Sequence, residues 1–354
     1  MNTANKFMFI GLGFGFLFPI FSTLFETYLR IGFISFDSVL SIQVSSPLLW
    51  VIDTAPLFLG FLARIAGQTQ EIANKINHEL QKSNKELRIE IAKSNAIENN
   101  IRDLIDVYKK DLQSAKLIQE FSLPEIPKFD QYRIFYKYLP LNPVGGDFIS
   151  LQRIDGGLLS ILVGDVVGHG ISAALIASLV NVLANKNREK NGLFPGKYLE
   201  NLNKEANNYL AEDYYFTALY GLLSSSSEST TFTFSRGGHP YPFIYSHREK
   251  CAKIFEIEGT PLGLMNNLTY TELSVELFPG DRIYIITDGL IEVKNEKGKL
   301  LGNKNFCHII TEACNTDMSL EESIDFILNK VDEFSMGVPP DDDRFILGIE
   351  INVL

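Results

Sequence analysis

Four places in the chain put carboxylates at the end of an apolar run, beside residues that let the backbone turn. Asp147 follows Gly145-Gly146, and Asp165 closes the run LLSILVG. Asp288 closes RIYIIT and precedes Gly289, and Asp341, Asp342 and Asp343 lead directly into RFILGIEI. Glycine at such points lets backbone approach a ligand closely. Gathered carboxylates lose hydration and repel one another, so they need counter-charge. Hard divalent cations such as Mg2+ or Mn2+ supply it, because they take oxygen ligands and water. Two such ions activate water and clamp a phosphoryl group. For any one aspartate a turn or capping role is the simpler reading. Four sets at strand ends weigh against it, although spacing alone does not prove that they meet.

The stretch GDVVGHG (164–170) adds His169, between two glycines and ahead of a helical pattern. Histidine titrates near neutrality and suits a general acid for a leaving oxygen. Helix capping and orientation of a carboxylate remain equally open. A phosphate-cradling loop of the Walker type would need a Lys and a Ser or Thr that are absent here. His239, in GGHP, reads as a turn residue with a structural hydrogen bond. Thr217 and Tyr220 read as strand residues and Arg236 as a candidate substrate contact. His78, His247 and His308 are isolated and read as surface or structural.

The elements that must hold these residues lie beyond Tyr132. YRIFYKYLP, DFISLQRI, LLSILVGDV, YFTALYGLLS, TTFTFSRGGHP, PFIYSH, KIFEIE, DRIYIITDG and RFILGIEI read as strands, the second and third paired around the DGG at 155–157. The segments 171–188, 196–211 and 319–335 read as helices. Strands mixed with helices in this way predict an α+β domain of layered sheets and helices.

The amino-terminal part is of another kind. FMFIGLGFGFLFPIFSTLF (7–25) carries no charge, and VLSIQVSSPLLWVIDTAPLFLGFLA (39–63) carries only Asp53. Each is about the ~20 residues needed to cross a bilayer. A cleaved signal peptide is the competing reading of the first run, but no small-residue cleavage site follows it. Lys6, Arg64 and Lys75 favour both ends in the cytoplasm. Gly11 and Gly15 have the GxxxG spacing of helix dimers, and ordinary membrane-helix glycine accounts for them equally well. Asp53, flanked by Pro47 and Pro56, marks a kink and a candidate sensing residue. From Gln68 to Phe121 there is neither proline nor glycine. A heptad seam runs through Ala73, Ile76, Leu80, Ser83, Leu87, Glu90, Ser94, Ile97, Ile101, Leu104 and Tyr108, then shifts phase. This predicts a parallel two-stranded coiled coil and a homodimer, over the alternative of one long packed helix. The net charge of −11 argues against a nucleic-acid partner. Cys251, Cys307 and Cys314 show no zinc or disulfide spacing and read as reduced.

NPVGGDFISL, VGDVVGHGISAAL, YFTALYGLL, RGGHPYPFIY, GTPLGL, IYIITDGLIEVKN and DDDRFILGIEI occur in order. Together they resemble the SpoIIE/RsbU-type serine/threonine phosphatases, a branch of the protein phosphatase 2C superfamily, from about residue 118 onward. The resemblance implies two stacked antiparallel β-sheets flanked by helices, with a site for two Mn2+ or Mg2+ ions at one edge. Carried over by position, it implies Asp165 as the bridge between the ions and the Val166 carbonyl as a further ligand. It implies Asp288 and Asp342 on the second ion, with Asp343 as the alternative to Asp342, and Asp147 on water or metal. It implies in-line attack on phosphorus by a hydroxide generated on the metals, with no phosphoenzyme. Ser150 stands where the family usually has a second Asp, and Phe345 where Thr is common.

The expected organisation is a two-helix transmembrane anchor over 1–65, a coiled-coil signalling helix over 66–122 and a phosphatase domain over 123–354. The expected place is a bacterial cytoplasmic membrane, with the catalytic domain in the cytoplasm. The resemblance implies a phosphorylated STAS-type anti-sigma-factor antagonist as substrate. A pseudo-phosphatase scaffold is the alternative, and a cyclase-like output using paired Asp lacks a base-binding motif.

Overall fold

A computed structural model describes residues 2–154, 157–168, 170–211, 213–225 and 229–352. The chain divides into two compact units, Met1–Leu104 and Ile105–Leu354.

In the second unit, five strands form one antiparallel sheet: β1 (Tyr132–Leu139), β10 (Arg344–Ile351), β9 (Arg282–Ile286), β6 (Phe243–Ser246) and β7 (Cys251–Ile254), in that order. The other sheet runs β2 (Asp147–Ile154), β3 (Leu158–Val166), β4 (Phe216–Ser225), β5 (Thr230–Gly237) and β8 (Leu273–Leu277). The inner faces meet through Ile149, Ile161, Val163 and Phe234 of one sheet and Ile134, Ile283, Ile285 and Leu347 of the other. Helices α6 (Ile171–Asn191) and α7 (Pro195–Tyr209) cover the second sheet, packing Ala177, Val180, Tyr198 and Leu202 on Phe148, Leu162 and Tyr220. Helices α8 (Gly302–Cys314) and α9 (Leu320–Ser335) cover the first, packing Phe306, Ile310, Ile324 and Ile327 on Tyr284, Ile286 and Ile346. Both faces of each sheet are therefore buried, which is why the central strands read as near-continuous apolar runs. The result is four layers, helix–sheet–sheet–helix, as the resemblance implied.

The differences from expectation are local. KIFEIE is a strand only to Ile254, and β8 and α8 were not anticipated. The DGG turn lies largely outside the described residues.

In the first unit, α1 (Thr3–Gly15) and α2 (Leu17–Ile31) are followed by α3 (Phe36–Ser45) and α4 (Pro47–Ile52). The second apolar run is thus not one continuous helix. It breaks at Ser46-Pro47, where proline starts α4 without needing an N–H partner. It breaks again after Asp53, and α5 (Ala55–Ser122) follows. Gln43 donates to Asp53 Oδ2 at 2.6 Å, and the Thr23 hydroxyl donates to Gln43 Oε1 at 2.5 Å. Two helical stretches, Thr3–Ile31 and Pro47–Glu120, are long and apolar enough to cross a membrane. The glycine spacing is used within the chain. A Cβ on Gly11 would sit 2.6 Å from Ala63 Cβ, and one on Gly15 would sit 2.4 Å from Pro56 Cα. α5 is a single helix of 68 residues, so the expected boundaries at 65 and 66 fall inside it. Its seam residues Ile76, Leu80, Leu87, Ile97, Ile101 and Leu104 are exposed in the single chain.

Candidate metal centre

The two sheets bring the acids together at one end. β2 and β3 run antiparallel with Asp147 directly opposite Asp165. Like charges in that position destabilise a sheet, so something else must favour them. β9 runs beside β10. Asp288 follows β9 at the start of a short 3-10 turn, and Asp342 lies just ahead of β10. Asp165, Asp288 and Asp342 each offer an oxygen, and these oxygens all lie within 4.8 Å of one another. Asp147 is buried beside them and accepts a hydrogen bond from the Thr287 hydroxyl at 3.0 Å.

The three consecutive aspartates have separate fates. Asp341 is exposed and pairs with Lys294 at 2.8 Å. Asp342 joins the trio, and its Oδ1 accepts the Asp343 N–H at 2.8 Å. Asp343 turns the other way: its Oδ1 accepts from Leu141 N–H at 2.7 Å and its Oδ2 from Gly146 N–H at 2.9 Å. Both carboxyl oxygens of Asp343, the alternative ligand, are therefore engaged in tying down the loop between β1 and β2. That loop carries the close approach expected of glycine. A Cβ on Gly146 would lie 2.7 Å from the Val166 carbonyl oxygen and 2.9 Å from Asp165 Oδ1. These two oxygens thus line a cradle that any other side chain would fill.

At an effective dielectric of about 20, two unit charges at such a spacing repel by roughly 3 to 4 kcal/mol. Three mutual pairs would cost about 10 kcal/mol, comparable to the net stability of a whole domain. Among the described residues, none of Asp147, Asp165, Asp288 and Asp342 has an ion-pair partner. Protons or cations must therefore neutralise the cluster. Burial, reinforced by Asp288 and Asp342, pushes Asp165 up to about 8. Burial, with Asp342 and Glu292, pushes Asp288 up to about 6. Asp147 is raised well above the usual carboxylate range by burial and then by Asp165. The Tyr138 hydroxyl is buried beside these acids with no hydrogen-bond partner among the described residues, and burial with their charge raises its pKa. A set of hard oxygen donors, an open cradle and an orphaned hydroxyl suit divalent cations with their bound water.

Three polar residues at the centre were not anticipated. Thr287 links the sheets, accepting from Phe345 N–H at 3.0 Å while donating to Asp147. Tyr138 reaches the acids from β1, opposite Phe345 in register. Gln119, near the end of α5, bonds the backbone of Gly145. A neutral side chain carries no charge pattern that would signal such a role. His169 lies outside the described residues. His239 is buried and bonds the Thr217 hydroxyl through Nδ1 at 3.0 Å; burial pushes its imidazole down to about 3, so it stays neutral. Arg236 donates to the carbonyls of His239 and Ile257 and lies 4.2 Å over the Tyr241 ring, which engages it within the fold. Ser150 is three residues from Asp147, hence on the opposite face of β2, where it accepts from the buried Arg188 at 3.0 Å. Its departure from the expected pattern therefore leaves the acid cluster untouched.

Comparison with known proteins follows the same lines. The family described as "Stage II sporulation protein E (SpoIIE)" matches residues 155–352. The Bacillus subtilis protein named phosphoserine phosphatase RsbU is 25% identical over 238 residues, covering 67% of this chain and 70% of that protein. Phosphoserine phosphatase RsbP of the same organism is 27% identical over 188 residues, covering 52% of this chain and 46% of that protein. The solved SiaA-PP2C domain of Pseudomonas aeruginosa superposes with a TM-score of 0.59 at 22% identity, covering 70% of this chain and 98% of that domain. At that identity the likeness speaks for the fold.

Proposed function

The chain belongs to the SpoIIE family of serine/threonine phosphatases, and on that premise we propose that it is a metal-dependent hydrolase of phosphoserine or phosphothreonine in another protein. The observation that carries the metal dependence is the trio Asp165, Asp288 and Asp342, with three oxygens within 4.8 Å and no cationic partner among the described residues. Asp165 and the Val166 carbonyl would hold one ion, Asp288 and Asp342 the other, with Asp165 between them. Asp147 would hold water or metal beside Asp165, kept in place by Thr287. When bound, two Mn2+ or Mg2+ ions supply an activated water and positive charge for the phosphoryl oxygens. The chain's own part is to fix the carboxylates before the substrate arrives. The sheet register does this for Asp147 and Asp165, and the loop ties of Asp343 do it for Gly146.

We further propose that the first unit anchors the protein in a bacterial cytoplasmic membrane and that the exposed seam of α5 pairs two chains. The substrate we propose is a phosphorylated STAS-type anti-sigma-factor antagonist, supported by the likeness to RsbU and by the ordered motifs. The test uses the full chain in detergent with a phosphoserine peptide and Mn2+. Phosphate release should stop with chelator and fall at least about 100-fold in Asp165→Asn, as expected for removal of a metal ligand central to the chemistry. Activity unchanged by both would overturn the two-metal reading.

A further inference from the structure

The loop Pro140–Gly146 carries the backbone that faces Asp165 and leads into Asp147, yet it has no regular structure of its own. Side chains from distant parts of the chain hold it instead. Asp343 takes the N–H groups of Leu141 and Gly146. Val166 N–H donates to the Gly146 carbonyl at 3.2 Å, and a further tie is Gln119 of α5. Its Nε2 donates to the Gly145 carbonyl at 2.8 Å, and its Oε1 accepts the Gly145 N–H at 3.1 Å. One carboxamide thus satisfies both backbone polar groups of the buried Gly145, as a neighbouring strand would. Gly145 cannot be stiffened from within, because a Cβ there would sit 1.9 Å from Asp343 Oδ2 and 2.3 Å from the Tyr138 hydroxyl. Gln119 and Asp147 also line one small cavity.

We infer that Gln119 is a positioning residue for the metal centre, holding Gly145-Gly146 so that Asp147 and the Val166 cradle keep their geometry. The inference rests on the metal-dependent reading above. Without Gln119, a buried N–H and a buried carbonyl lose their partners together, and such groups are costly to leave unpaired. The loop then relaxes toward water or toward the acids, and the oxygens around Gly146 spread. The effect is on ion binding rather than on the chemical step.

The test is a calorimetric Mn2+ titration of the full chain in detergent, comparing wild type with Gln119→Met, which keeps length and loses both hydrogen bonds. Ser114→Ala serves as a control on the same helix, since Ser114 donates to Lys110 O and has no other partner among the described residues. Gln119→Met should bind Mn2+ about 10- to 100-fold more weakly, the usual cost of removing an outer support of a metal ligand. Its kcat at saturating Mn2+ should stay close to wild type, and Ser114→Ala should bind like wild type. Mn2+ binding within twofold of wild type would overturn the inference. Hydrogen exchange gives a second arm that needs no variant. The wild-type Gly145 amide should be protected without metal, and free exchange there would also overturn it. Wild type that binds no Mn2+ would instead bring down the metal-dependent reading itself.

Discussion

At the scale of single residues, the centre is a set of acids that the fold holds close at a cost. Asp165 and Asp288 bind protons more tightly when folded than when unfolded, because burial and neighbouring acids raise them. Stability from a raised carboxylate is full below its ordinary range and is lost as pH rises through the folded value. For this site the loss runs through about 6 for Asp288 and about 8 for Asp165. Metal-free protein should therefore unfold at lower urea at about pH 9 than at about pH 5, by a difference on the order of 1 to 3 kcal/mol. Saturating Mn2+ should remove most of that slope. A metal-free urea midpoint that rises over the same range would show that the acids are not held as described. Much of this centre was legible in the sequence, because Asp147, Asp165, Asp288 and Asp342 each stand where an apolar run meets a turn or glycine. Thr287, Tyr138 and Gln119 were not. Each is neutral, so no charge pattern marks it, and Thr287 acts on Asp147, 140 residues away.

At the scale of elements, α5 is the clearest test of pattern against environment. Its apolar seam predicted a partner, and in one chain Leu80 and Leu87 remain 58% and 54% exposed. A surface helix with such a stripe gains little unless another helix covers it. The full chain in detergent should sediment as a dimer, and Leu80→Lys with Leu87→Lys should shift it toward monomer with the phosphatase fold intact. A strictly monomeric wild type would remove the coiled coil. The anticipated strands were those with long β-branched and aromatic runs. β8 escaped notice because LSVEL is short and half polar. α8 escaped because it opens on GNKN and mixes β-branched residues, so packing of Phe306, Ile310 and Ala313 onto the sheet decides its state rather than propensity. The break of the second apolar run at Pro47 was foreshadowed by the prolines flanking Asp53. The intramolecular use of Gly11 and Gly15 was not, since spacing alone cannot say whether the facing helix belongs to the same chain.

At the scale of the whole molecule, the first unit presents large apolar side chains outward, among them Phe9, Phe14, Phe18, Phe21 and Phe58. Patches of this kind on a water-facing surface would drive association. We expect the full chain to sediment with membranes and to resist extraction by high salt and alkaline carbonate. Deletion of residues 2–65 should release it, and a wild type washed off by salt would exclude an integral anchor.

The strand order has one more consequence. β1 finds its neighbour in β10, and the carboxylate that holds Leu141 lies 202 residues further on. A ribosome adds about 5 to 20 residues per second, so the loop ahead of Asp147 waits on the order of 10 to 40 s for Asp343 to be made. By the end of that interval the first strand, the loop and three of the acids, Asp147, Asp165 and Asp288, are present while Asp342 and Asp343 are not. The centre thus forms only after Asp342 and Asp343 have been made, and a chain truncated ahead of them should release no phosphate from a phosphoserine peptide.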